Sequence, residues 1–173
     1  MLPNPNVRRL DEFQVFSFQF QVFTKAVSVE IRILSPDDLP ATVSLLAYLN
    51  PKVPEEIVRQ RFETILSEHP HYQAYGAFSD QTLIGVAGAW IATKVWCGLY
   101  LEVDNLVIVP EHRSSGVGTL LLNALEGRAK ELGCNILVLD SYVSNSPSHR
   151  LYHRLGYEIR GFHFVKELED IAH

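Results

Sequence analysis

Leu106-Val107-Ile108-Val109-Pro110-Glu111-His112-Arg113-Ser114-Ser115-Gly116-Val117-Gly118-Thr119 is the stretch that decides the fold. A β-branched apolar run enters a tight turn with one arginine, two serines and two glycines, and the turn opens a helix. Val117, Leu120, Leu121, Ala124, Leu125 and Leu132 form the apolar stripe of that helix, and Gly133 stops it. Such a turn aims successive backbone N–H groups outward at the positive end of the helix dipole. Gly116 and Gly118 allow a ligand to approach the backbone closely. The geometry suits a pyrophosphate, although glycine can also serve sterics alone in a strand-to-helix turn. Two familiar phosphate loops are excluded. No Lys-Ser/Thr follows the glycines, and Gly116-Val117-Gly118 runs on to Leu121 where a dinucleotide fingerprint needs its third glycine.

Upstream, Leu99 to Val109 is predicted as one long strand. Tyr72–Phe78 and Thr82–Ala92, joined by Ser79-Asp80-Gln81, form a predicted hairpin. Two helices come before it. Ser35-Pro36-Asp37-Asp38 starts the first, with Leu39, Val43, Leu46 and Ala47 at helical spacing, and Asn50-Pro51 ends it. The second follows Pro54, with Val58, Phe62, Ile65 and Leu66 on one face. Val27–Leu34 is a strand, and Phe16, Phe18, Phe20 and Val22 alternate with polar residues as a strand does. Downstream, Ile136–Leu139 has the continuous apolar run of a strand buried on both faces. Pro147–Leu155 is a short helix closed by Gly156, and Tyr157–Ile159 and Phe162–Leu168 are closing strands. The order predicts a single α/β (α+β) domain: a mixed, mostly antiparallel twisted sheet flanked by helices on both faces, with an extra N-terminal strand. Residues 1–26 form an extension and residues 27–173 the domain proper.

Composition narrows the function. Of 173 residues, 47% are apolar and 20% charged, which excludes a disordered or fibrous chain. The net charge of −5 excludes a nucleic-acid binder that relies on a basic face. Cys97 and Cys134 lie in apolar contexts and are expected to be buried, reduced thiols. The longest apolar run, Leu83–Ala92, contains Gly85 and Gly88 and is too short to span a bilayer. Met1–Leu10, with Pro3, Pro5, Arg8 and Arg9, has no secretory apolar segment, so the protein is expected to be cytoplasmic, with neither membrane nor nucleic acid as partner.

Arg113-Ser-Ser-Gly116-Val-Gly118 resembles the Arg/Gln-x-x-Gly-x-Gly/Ala motif of the GCN5-related N-acetyltransferases (GNAT), whose loop binds the pyrophosphate of coenzyme A. Asn145-Ser-Pro-Ser148-His-Arg-Leu151-Tyr152-His-Arg-Leu155-Gly156-Tyr157 resembles that family's Asn-x-x-Ala-x-x-Leu-Tyr-x-x-x-Gly-Phe signature, with Ser148 where alanine is usual. The elements from about residue 28 to 168 follow the family's order. A narrower resemblance, in Ser148-His149-Arg150-Leu151-Tyr152 and Phe162-His163-Phe164-Val165-Lys166, is to the aminoalkylphosphonate acetyltransferases.

The resemblance implies acetyl-CoA as co-substrate and a small-molecule or protein amine as acceptor, attacked directly in a ternary complex. It implies that Tyr152 protonates the departing thiolate, with an ordinary helix tyrosine as the alternative. Glu102 and Asp104, two apart on one strand, share a face with Tyr100 and oppose Leu101 and Val103. Family members often use a carboxylate here as base, so Glu102 is the first candidate and Asp104 the second; the alternative is a solvated acid pair. A splay or bulge over Asn105–Val107 would free backbone groups for the cofactor, making Leu106, Val107 and Val109 contact candidates. Arg113, Ser114, Ser115, Gly116, Val117, Gly118 and Thr119 form the phosphate loop. Asn145, Ser148 and Tyr152 complete the cofactor candidates. Tyr48 and Asn50 end the first helix, where the acceptor segment lies. His112 and His163 are weaker candidates for cofactor and acceptor contact.

His149 and His153 share a helix face but have no third ligand, so no metal is expected. Trp90 and Trp96 are assigned to core or interface. The uncharged N-terminal strand is a sheet edge that invites pairing, which predicts a homodimer with residues 13–23 at or near the interface. Competing readings are a catalytically idle acyl-CoA-binding sensor, which could have lost Tyr152 and Glu102, and an assembly protein with a vestigial loop.

Overall fold

The computed structural model describes residues 20–24, 27–166 and 168. Its elements are β1 (Phe20–Thr24), β2 (Val27–Ile33), α1 (Leu39–Leu49), α2 (Glu55–Glu68), β3 (Tyr72–Ser79), β4 (Thr82–Lys94), β5 (Gly98–Ile108), α3 (Val117–Leu132), β6 (Ile136–Leu139) and α4 (Ser146–Arg154). Short 3₁₀ turns over Pro36–Asp38 and Pro110–His112 precede α1 and α3. The six described strands lie in sequence order; all neighbours are antiparallel except β5 and β6, which run parallel. This is the predicted mixed sheet.

Both faces of the sheet are covered, so there are two cores. On one, Ala77, Ala87, Ala89, Leu101 and Val103 pack against Val117, Leu121, Leu122, Leu125 and Ala129 of α3. On the other, Tyr72, Ala74, Val86 and Val107 pack against Val43 and Leu46 of α1 and Val58 and Phe62 of α2. Arg32 anchors the start of α1 to β2 through bonds of 2.7 and 2.9 Å from its two terminal nitrogens to the Asp38 carboxylate. The guanidinium holds that carboxyl far below the ordinary aspartate range.

β5 changes phase midway. Val86 of β4 pairs with Val107, but Gly88 pairs with Asp104, so one strand has an extra residue. The extra residue is a bulge at Asn105, whose φ of 53° is left-handed. Leu101 and Val103 therefore face α3, whereas Val107, of the same parity, faces α1 and α2.

The extra N-terminal strand covers Phe20–Thr24 and pairs with β2 of its own sheet; residues 16–19 of the predicted strand lie outside the described residues. Several expectations are corrected. Neither Tyr157–Ile159 nor Phe162–Leu168 forms a strand among the described residues. Ile159, Phe162, Phe164, Val165 and Leu168 stand in solvent there, because no described strand offers them a partner. For the same reason β6 is an edge strand with all four residues half-buried rather than buried on both faces. Leu66 points outward from α2, and Trp96 is exposed at the β4–β5 tip rather than packed. Trp90 is half-buried against the α1/α2 core. Cys97 and Cys134 are free but half-exposed.

Candidate active site

The bulge and the short β6 together part the sheet. β6 pairs with Tyr100–Val103 only, and from Asp104 to Ile108 β5 continues without it, paired with β4 on its other side. A wedge therefore opens beside Asn105, Leu106 and Val107, with the backbone groups of β5 on that side freed from the ladder. Leu106, Ile108 and Val109 turn their side chains to the α3 core, so they face the wedge through their backbones.

Immediately beyond, the loop winds into α3. Ser114 (φ 60°) and Gly116 (φ 95°) are both left-handed, and Arg113 between the 3₁₀ turn and Ser114 is extended. Ser115 donates its hydroxyl to the His112 carbonyl at 2.6 Å and stiffens the turn. The first intrahelical bond runs from Leu120 N–H to the Gly116 carbonyl. Gly116 has no side chain with which to cap the helix, so the N–H groups of Val117, Gly118 and Thr119 point out of its positive end. A Cβ on Gly118 would come 3.3 Å from Leu151 Cδ2, so this glycine also brings α4 close to α3. The arrangement has the donors and the dipole for a pyrophosphate.

α4 carries Tyr152 at the edge of the α3 core, half-buried, with its ring 5.9 Å from that of Tyr157. Burial pushes the phenol above its ordinary pKa, and a hydrogen bond with Ser148 offsets part of that. Asn145 precedes α4 but makes no side-chain cap, leaving its amide exposed. His149 and His153 each meet a backbone carbonyl, of Tyr142 and Tyr157, and no described group of residues forms a metal cluster. His112 is half-exposed beside the loop.

On the opposite face, Tyr72, Trp90, Glu102 and Val138 lie directly across from one another in successive strands. Glu102 is half-exposed, 4.0 Å from Lys94, whose ammonium lies over the Tyr100 ring. Asp104 is more enclosed. Trp90 Nε1–H and the Asn105 amide donate to its Oδ2 at 3.2 and 2.6 Å, and no cation pairs with it among the described residues. Burial pushes the Asp104 carboxyl up, and the hydrogen bonds from Trp90 and Asn105 offset part of this. Tyr72, its ring tilted against that of Trp90 at 4.6 Å, completes the wall, with His69 edge-on to the same indole at 5.2 Å.

Sequence reasoning had not linked Trp90, Tyr72 or Asn105 to Asp104. Cross-strand register links them, and the alternation of β3, β4 and β5 could have suggested it. It also missed Asp140, which follows β6 and accepts from His163 Nδ1 at 2.7 Å, an exposed contact. Tyr48, at the end of α1, accepts a hydrogen bond from Arg113 Nη2 at 3.1 Å. Asn50 spends its amide on the Leu46 carbonyl at the helix end.

A wedge between parallel strands, leading to a helix N-terminus, is an architecture for holding an extended, phosphate-bearing acyl carrier. The chain matches the acetyltransferase (GNAT) family over residues 41–157 and belongs to it. It is an acetyl-CoA-dependent N-acetyltransferase. The aminoalkylphosphonate N-acetyltransferase of Salmonella typhimurium is 25% identical over 148 residues, covering 80% of this chain and 91% of the relative. The aminoglycoside N(6')-acetyltransferase type 1 of Acinetobacter haemolyticus is 32% identical over 47% of this chain and 59% of its own length. Among solved structures, an aminoglycoside N-acetyltransferase in complex with CoA superimposes with a TM-score of 0.74 at 22% identity, over 86% of this chain and 99% of that one. Among the described residues no helix is long and apolar enough to cross a membrane.

Proposed function

We propose that the enzyme transfers the acetyl group directly to a small primary amine in a ternary complex, with Asp104 as the base and Tyr152 as the acid. The observation that carries this reading is the parting of β5 from β6 at Asp104. It leaves an enclosed carboxylate with only neutral donors beside the opening, and α4 carries, at the edge of the α3 core, a phenol that burial keeps protonated. Acetyl-CoA supplies the activated acetyl group. The N–H groups of Val117, Gly118 and Thr119, with Arg113, Ser114, Ser115 and Gly116, hold its pyrophosphate, and Asn145 and Ser148 flank its pantetheine arm. Backbone groups of Leu106, Val107 and Val109 orient that arm and the carbonyl.

Asp104 takes the proton that the acceptor ammonium must lose before its nitrogen bonds to the carbonyl carbon. The raised pKa makes the carboxylate a stronger base than an exposed aspartate. As the carbon–sulfur bond breaks, Tyr152 gives its proton to the leaving sulfur, and desolvation keeps that proton in place until then. Glu102, half-exposed and near Lys94, is the second candidate base and relays protons from solvent. Val27 starts the catalytic unit, and residues 1–26 are an addition to it. A cytoplasmic setting fits the two free cysteines. A homodimer fits the position of β1 as the terminal strand among those described, with residues 13–19 of the proposed interface outside the described residues.

The test is thiol release from acetyl-CoA across a panel of primary amines, from ethanolamine to peptide N-termini. Amine-dependent release that Asp104→Asn abolishes supports the reading. Release that no amine stimulates, or that the variant leaves intact, overturns it.

A further inference from the structure

We propose that Tyr48 is a positioning residue for the cofactor: it orients Arg113 toward a phosphate of acetyl-CoA and thereby ties the end of α1 to the phosphate loop. This rests on the reading of the Arg113–Thr119 loop given above and adds to it a residue 65 positions away in the chain.

Arg113 does not extend freely into solvent. Its Nε–H donates to the Ile108 carbonyl at the end of β5, at 3.1 Å, and its Nη2 donates to the Tyr48 hydroxyl, also at 3.1 Å. The guanidinium carbon lies 5.4 Å from the Tyr48 ring centroid, within cation–π range. Two of five N–H donors are thus committed, in two directions, which fixes the plane of the fork. No carboxylate lies within 4.0 Å of Arg113 among the described residues, whereas Arg32, Arg59, Arg128 and Arg160 each have one. An arginine held by neutral acceptors keeps its full charge and three donors for an anion, and a rigid fork loses less freedom on binding a phosphate.

The anchor on the other side is equally defined. α1 ends at Leu49, and Asn50 closes it by donating both its backbone N–H and its side-chain amide to the Leu46 carbonyl. Val43 and Leu46, on the same helix, are buried in the α1/α2 core beside Val107 of the wedge. Tyr48 is half-exposed, so its hydroxyl is not needed to fill the core. Its contact is therefore explained by Arg113 rather than by packing.

The test is a double-mutant cycle on CoA affinity by isothermal titration, using Tyr48→Phe, Tyr48→Ala, Arg113→Lys and the Tyr48→Phe/Arg113→Lys pair. Tyr48→Phe keeps the ring and should weaken binding by about three- to ten-fold, the worth of one hydrogen bond. Tyr48→Ala should cost more, and the double variant should bind no more weakly than Arg113→Lys alone. Circular dichroism melts of the four variants check that the fold is retained. Wild-type affinity in both Tyr48 variants, or full additivity in the double variant, overturns the proposal. Gly118→Asp separates this from the loop reading. If that variant still binds CoA normally, the loop itself is wrong. If it abolishes binding while the Tyr48 variants bind as wild type, only the role of Tyr48 falls.

Discussion

Two glycines in regular elements should respond to alanine with opposite signs. Gly88 lies on β4 directly across from Asp104. A Cβ there would sit 2.0 Å from the Tyr72 hydroxyl, 2.6 Å from its Cζ and 2.9 Å from its Cε2. Reaching the near edge of ordinary contact at 3.4 Å requires the hydroxyl to retreat by 1.4 Å (3.4 − 2.0). Tyr72 has little room for that: it is 7% exposed and packs against Trp90 and Phe62. Overpacking of this kind costs about 1–3 kcal/mol, and the intrinsic gain of alanine over glycine in a strand, about 0.5–1 kcal/mol, offsets only part of it. Gly88→Ala should therefore destabilise by about 1–2 kcal/mol. Gly127, in the middle of α3, meets nothing within 4 Å, and Gly127→Ala should stabilise by about 0.5–1 kcal/mol. Urea unfolding followed by tryptophan fluorescence gives both values. Adding Tyr72→Phe to Gly88→Ala removes the 2.0 Å contact and should recover part of the loss. A Gly88→Ala protein as stable as the wild type would show that Tyr72 is not held against β4, and the enclosure of Asp104 would go with it.

Tyr152→Phe should lower turnover by about 10²–10⁴ while changing CoA affinity far less, because it removes a proton donor and keeps the ring; stopped-flow thiol release and titration calorimetry separate the two. The raised pKa of Asp104 puts its carboxylate form at higher pH than for an exposed aspartate, so kcat/KM should fall on the acid side above the ordinary value of about 3.9. Asp104→Asn should abolish amine-dependent turnover and, by removing a buried charge, unfold at higher urea at neutral pH; a variant that keeps the wild-type activity and pH profile removes Asp104 from the mechanism. Light scattering should find a dimer for the intact chain and a monomer for a version beginning at Ala26; an intact monomer defeats the dimer.

The sequence was most legible where local chemistry decides structure. Pro and Gly punctuation bounded α1 and α3, and the stripe on α3 named Val117, Leu121 and Leu125, all buried. The two faces of β5 followed from its period of two, so Leu101 and Val103 could be separated from Glu102 and Asp104. What failed was whatever depends on a distant partner. Ile136–Leu139 has the composition of a central strand, but burial requires neighbours on both sides, and β6 has one among the described strands. Phe162 and Phe164 have strand spacing, yet a ladder needs a second strand, and none of the described strands pairs with them. The link from Trp90 to Asp104 depends on register and on the bulge at Asn105, both set by pairing between strands.

The bulge also restricts how this gene can change in length. Deleting Asn105 would remove the extra residue, and Leu106 and Ile108 would stay on the α3 face and Val107 on the α1 and α2 face. Losing two residues there would leave β5 out of phase: Val107 would turn to α3, while Leu106 and Ile108 would turn to α1 and α2. Two lost codons would thus swap the contents of two cores at once, a cost no single compensating substitution could repair. Deletions tolerated at this point of the strand among descendants of the chain should therefore remove one residue rather than two.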